Sequence, residues 1–117
     1  VSFQRAIVIG LAVALLAFLS TRRSDVDRAL AEPFTAAPGH EVVLYTTSWC
    51  GYCARARRFL EANGVAYTEI DVERSEAGRQ EYERRGGYGV PMFLIDGRAI
   101  FGLDPEAVVE ALTRPAE

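Results

Sequence analysis

The chain has 117 residues, half of them apolar and a quarter charged, which is room for one compact domain of roughly 80 to 100 residues and an appendage. Its net charge of −3 argues against a nucleic-acid partner, because phosphate neutralisation needs a basic stripe that would survive in the total. Two cysteines are too few for the disulfide framework of a small secreted fold, so stability has to come from a packed core.

Residues 6–19, "AIVIGLAVALLAFL", carry no charge and stop at Arg22-Arg23. At 1.5 Å per residue this run reaches about 21 Å, between a signal-peptide core and a minimal spanning helix, so residues 1–23 read as a membrane anchor or signal-like segment. Arginines stand where a cleavage site would want small residues, and the best such triplet, Ala29-Leu30-Ala31, comes later. That favours an uncleaved single-pass anchor. Arg22, Arg23 and Arg28 outnumber Arg5, so the positive-inside tendency favours the cytoplasmic side over the periplasmic one for the carboxy-terminal domain. Residues 24–40 contain Pro33, Pro38 and Gly39 and read as a linker, with a helical turn or two between 26 and 32.

Residues 41–114 are the expected domain. "EVVLYT" (41–46) is a short strand, and a helix follows it to the Asn63-Gly64 cap. "VAYTEIDV" (65–72) is a second strand with Ile70 and Val72 on one face. Ser75 caps a solvated helix in which Glu81 and Arg85 are four apart and which stops at Gly86-Gly87. After Val90-Pro91, "MFLIDGRAIFG" is a hairpin turning at Asp96-Gly97, and Asp104-Pro105 opens a last helix that buries Val108, Val109 and Leu112. The order is βαβαββα: an α/β fold with a mixed four-stranded sheet flanked by helices.

The only two cysteines, Cys50 and Cys53, fall at the first strand-to-helix junction, inside "TTSWCGYC". Cys50 at the head of a helix meets unpaired N–H groups and the positive end of the dipole, which favour a thiolate, the form that attacks disulfides. Cys53, one turn on, lies on the same face and can close on Cys50. Arg55, Arg57 and Arg58 could add positive potential, and Trp49 and Tyr52 an apolar shelf beside the sulfur. A structural zinc site wants four ligands, and His40 is the sole histidine, so no metal site is expected.

The segments "YTTSWCGYC", "GVPMFLIDG" and "IFGLDPEAVVEAL" together resemble a glutaredoxin over roughly residues 42–112. The resemblance implies the thioredoxin fold and reduction of protein disulfides and glutathione mixed disulfides, with glutathione as co-substrate. It assigns Cys50 as the residue that takes the substrate sulfur and Cys53 as the resolving one. It expects a cis Pro91, a Val90 backbone free to pair with substrate, and a glutathione site built from Tyr52, Val90, Pro91, Gly102, Leu103 and Asp104. The sequence departs from the family at Thr47, Gly89, Phe101 and Pro105, where a basic residue, a Thr, a Gly and an acidic residue are usual.

Gly51-Tyr52 between the cysteines also resembles mycoredoxins, which serve another low-molecular-weight thiol, and glutaredoxins that hold a [2Fe–2S] cluster shared by two protomers. Three readings therefore stand: a membrane-tethered glutaredoxin-like reductase, expected as a monomer; a thioredoxin-like or other-thiol disulfide enzyme; and a cluster-binding dimer. The expected partners are glutathione or another small thiol, disulfide-bearing proteins and, through the amino-terminal segment, a membrane.

Overall fold

The computed structural model describes residues 2–116. It divides into two compact units, residues 1–31 and 32–117. The first is a single helix, α1 (Ser2–Ala31), about 45 Å long at 1.5 Å per residue. Its apolar stretch has a mean hydropathy of 2.0 and none of it is buried by protein, so it is long and apolar enough to cross a membrane, a test that signal sequences also pass. The hydroxyls of Thr21 and Ser24 bond back to the Ala17 and Ser20 carbonyls, which hides their polarity within the helix.

The helix continues beyond Arg23 through much of the expected linker. Residues 24–31 hold no Gly or Pro, and Pro33 follows the end. The rest of the expected linker belongs to the second unit. Phe34 donates its N–H to Asn63 Oδ1 at 3.0 Å and sets its ring 5.5 Å from that of Phe59. Ala37 donates to the Leu112 carbonyl at 2.8 Å.

The second unit runs β1 (Val42–Thr46), α2 (Gly51–Ala62), β2 (Thr68–Asp71), α3 (Glu76–Arg84), β3 (Met92–Ile95), β4 (Arg98–Phe101) and α4 (Pro105–Thr113). The sheet order is β2-β1-β3-β4, with β1 parallel to β2 and antiparallel to β3, and β3 antiparallel to β4. This is the expected βαβαββα sheet. Strand alternation sorts the core onto two faces. Tyr45, Met92 and Leu94 pack with Tyr82 of α3 and are flanked by Val43, Ile70, Val72, Val90 and Ala99. Val42, Leu44, Phe93 and Ile95 turn the other way, toward the side carrying Ala56, Phe59 and Leu60 of α2 and Val108 and Leu112 of α4. Val109 is only half-buried, short of the expected burial.

The caps are where the residues ask for them. Ser75 accepts from Gly78 N at 2.9 Å, and Asp104 from Ala107 N at 3.1 Å with Pro105 at the first turn. The turn at Asp96 (φ 50) and Gly97 (φ 80) has positive φ at both residues, which sets the right twist for a two-residue hairpin.

Candidate functional site

The end of β1 leads through Thr47 and Ser48 to Cys50, which is the amino-terminal cap of α2. Its sulfur accepts the Cys53 N–H at 3.2 Å, so one of the helix's unpaired donors is aimed at Cys50 Sγ. Both cysteines are free thiols. Cys50 is 9% exposed and Cys53 fully buried, so only the first can be reached from outside. Burial, then the hydrogen bond with Cys50, pushes the Cys53 thiol up to about 12. The Thr47 backbone and the Arg57 charge pull the other way.

Of the three arginines the sequence offers, Arg57 is the one whose charge reaches Cys53, and it is held by Glu69 at 2.6 Å. Arg55 lies over the Tyr52 ring, 5.7 Å from its centroid, and Arg58 is exposed. Trp49 is exposed and donates its indole N–H to Glu73.

From the other side of the sheet order, the loop before β3 brings Val90 to the pair, with its carbonyl 3.8 Å from Cys50 Sγ. The Val90–Pro91 peptide bond is cis, as expected. The Pro91 carbonyl accepts from Gly102 N at 2.9 Å, which ties the end of β4 to the same loop. Cys50, Cys53, Val90, Pro91 and Gly102 are thus brought together. Gly102 has φ +77, so a glycine is the residue suited to that bend. Leu103 is half-buried; Asp104 is exposed, and its carboxylate already caps α4. Tyr52 points outward, apart from the buried sulfur of Cys53.

Two departures from the resemblance acquire a structural meaning. Thr47 is buried, and its hydroxyl has no hydrogen-bond partner among the described residues. Gly89 has open space around its missing Cβ. Sequence reasoning missed Tyr88, whose ring stacks on Phe101; an aromatic residue between two glycines just before Val-Pro was the available signal. His40 is not near the thiols. It lies before β1, bonded through Nδ1 to Asp96 at 2.6 Å and through Nε2 to the Arg114 carbonyl at 2.8 Å.

Among the described residues no group of three or more His, Cys, Asp or Glu converges. A single chain therefore offers one reachable thiol toward a cluster, too few to hold one alone.

A free cysteine capping a helix, a second one buried one turn on, and a Val-Pro loop against the first sulfur on a β2-β1-β3-β4 sheet define a dithiol protein of the thioredoxin fold. The glutaredoxin family model matches residues 42–100, and the chain belongs to the glutaredoxin family. Glutaredoxin 3 of Escherichia coli K12 is 35% identical over 71 residues, 60% of this chain and 86% of its own length. A glutaredoxin-like protein of Mycobacterium tuberculosis is 49% identical over 39 residues, 33% of this chain, and the match spans 46% of that relative, about half its length. Among solved structures, a thioredoxin-like protein 32% identical superposes with a TM-score of 0.59 over 62% of this chain and 100% of its own.

Proposed function

We propose that the chain is a membrane-tethered thiol–disulfide oxidoreductase of the glutaredoxin type that reduces protein disulfides and glutathione mixed disulfides. The observation that carries it is the asymmetry of the pair: Cys50 reachable and receiving a helix N–H at 3.2 Å, Cys53 sealed behind it with its thiol pushed up to about 12. That asymmetry separates an attacking sulfur from a resolving one.

In the reaction, the Cys50 thiolate attacks one sulfur of the substrate disulfide and expels the other as a thiolate. The bond formed joins Cys50 to the substrate. The backbone of Val90, whose carbonyl stands 3.8 Å from Cys50 Sγ, pairs with the extended chain carrying that sulfur. Cys53 then loses its proton, attacks Cys50 Sγ and releases the substrate as a dithiol, leaving a Cys50–Cys53 disulfide. Arg57 steadies the Cys53 thiolate at this moment. Two molecules of glutathione, or of another low-molecular-weight thiol, supply the two electrons that restore the pair. The family resemblance offers Tyr52, Gly102, Leu103 and Asp104 to the small thiol, and the N-terminal turn of α4, capped by Asp104, supports a place for its charged end.

The apolar stretch of α1 supports a single-pass anchor, and Arg22, Arg23 and Arg28 favour a cytoplasmic domain. Glutathione, glutathione reductase and NADPH, coupled to a small mixed disulfide, test the glutathione part with the full chain in mild detergent. Turnover that survives Cys53→Ser and dies with Cys50→Ser is expected. Absence of turnover, in protein whose disulfide forms and is reduced by dithiothreitol, would instead favour a reductase served by another thiol.

A further inference from the structure

The large apolar side chains that the second unit leaves exposed, among its described residues, lie on the segments that carry Cys50 and Val90-Pro91 or on the strand paired with the latter. Trp49 is 73% exposed, Tyr52 53%, Tyr88 82% and Phe101 42%. Trp49 and Tyr52 flank Cys50 in the chain. Tyr88 is two residues before Val90, whose carbonyl touches the sulfur, and Phe101 is the β4 partner of Met92, next to Pro91. The Tyr88 and Phe101 rings stack with centroids 5.2 Å apart and 26° between planes. Folding buries little of Tyr88 and leaves Phe101 partly open, so the Tyr88 ring owes its place to the stack rather than to the core. Two stiff rings held open beside a reactive sulfur are preformed contact area that costs little entropy to use.

Any disulfide that Cys50 attacks brings a sulfur to Sγ, so the chain bearing that sulfur has to cross the surface next to it. Traced back along the chain from Val90, that surface leads to Tyr88 and the Phe101 ring stacked on it. We propose that the stack is a specificity determinant, selecting protein disulfides in which an apolar or aromatic side chain stands next to the attacked cysteine. The inference rests on the disulfide-reductase reading and names its substrate class. The chemistry is unchanged: each substrate disulfide takes two electrons from the Cys50–Cys53 dithiol, which becomes a disulfide as two substrate thiols leave.

The test uses the full chain, reduced with dithiothreitol, freed of reductant and kept in mild detergent. Single-turnover rates are measured on two peptides with the same intramolecular disulfide, one flanked by leucines and one by glutamates. The unaltered chain is expected to favour the leucine peptide roughly tenfold, the low end of what one apolar contact discriminates. Tyr88→Ser with Phe101→Ser should bring the ratio near one, while Tyr88→Phe, which keeps the stacked ring, should retain it. Equal rates in the unaltered chain, or a preference that survives the double substitution, would overturn the specificity and leave the reductase reading standing. Rates that fall with protein concentration until Tyr88 is replaced would mean that a second copy covers the stack, and would overturn it too. Reduction of neither peptide, by protein whose own disulfide still forms, would sink both readings together.

Discussion

Cys50 and Cys53 are three residues apart, yet only one is open to a reagent. With Cys53 fully buried and its thiol pushed up to about 12, iodoacetamide should label Cys50 and leave Cys53 unmodified below pH 9 until the chain is unfolded. Peptide mapping by mass spectrometry reads the outcome, and equal labelling would contradict the asymmetry. His40 is held as tightly, at the start of the domain. Its side chain is 5% exposed, and both ring nitrogens face acceptors, Asp96 Oδ2 and the Arg114 carbonyl, so only the imidazolium donates to both. The Asp96 hydrogen bond raises the His40 pKa, while the Glu41 N–H and His40 lower that of Asp96. The His40 contribution is whole below its unfolded value of about 6.5 and is lost as pH climbs through the raised folded one. That of Asp96 is whole above about 3.8 and is lost as pH falls through the depressed one. Thermal unfolding of the chain and of His40→Ala should therefore differ most between about pH 4 and 6.5 and converge at alkaline pH.

The elements stand on local rules that single substitutions can remove. Asp104→Ala strips the cap of α4 and should lower stability by about 1 kcal/mol in denaturant titration. At Gly78 in α3, an added Cβ would come 2.3 Å from Ile70 Cγ2, so Gly78→Ala should destabilise by roughly 1 to 3 kcal/mol despite alanine's better helix propensity. Gly89 is the contrast: its open surroundings should accept Gly89→Thr with little change in melting temperature. These elements were legible because their signals are local. Ser75, Asp104-Pro105, Asn63-Gly64 and Asp96-Gly97 each announce an end or a turn by the conformation they favour, and period 2 put Ile70 and Val72 on one face, where both pack against the Tyr45, Tyr82, Met92 and Leu94 cluster. Val109 was misjudged because a helical stripe gives the direction of the core and not its width.

At the scale of the molecule, legibility fell where contacts are distant in sequence. Nothing local in "EPFTAAPGH" says that Phe34 will meet Phe59 or that Ala37 will bond the Leu112 carbonyl, so a Pro-rich segment read as linker. The same holds for Tyr88 and Phe101, which meet because the β3–β4 hairpin returns the chain to the loop it left. The cysteine pair was readable because its spacing and its helix cap lie within four residues. Replacing Val13 with Arg, in the middle of the apolar stretch of α1, should move the chain from the membrane pellet to the soluble fraction if that helix is the anchor, without altering reduction by the second unit.

Cys50 and Cys53 divide the labour between an attacking and a resolving sulfur, and trapping the intermediate separates the two roles. Full-length Cys53→Ser, reduced and mixed with a disulfide-bearing peptide, should accumulate a mixed disulfide whose adduct mass maps to Cys50, while the unaltered chain passes on to the Cys50–Cys53 disulfide and frees the peptide as a dithiol. An adduct on Cys53 in Cys50→Ser that forms as fast, or no adduct in either variant, would contradict the account.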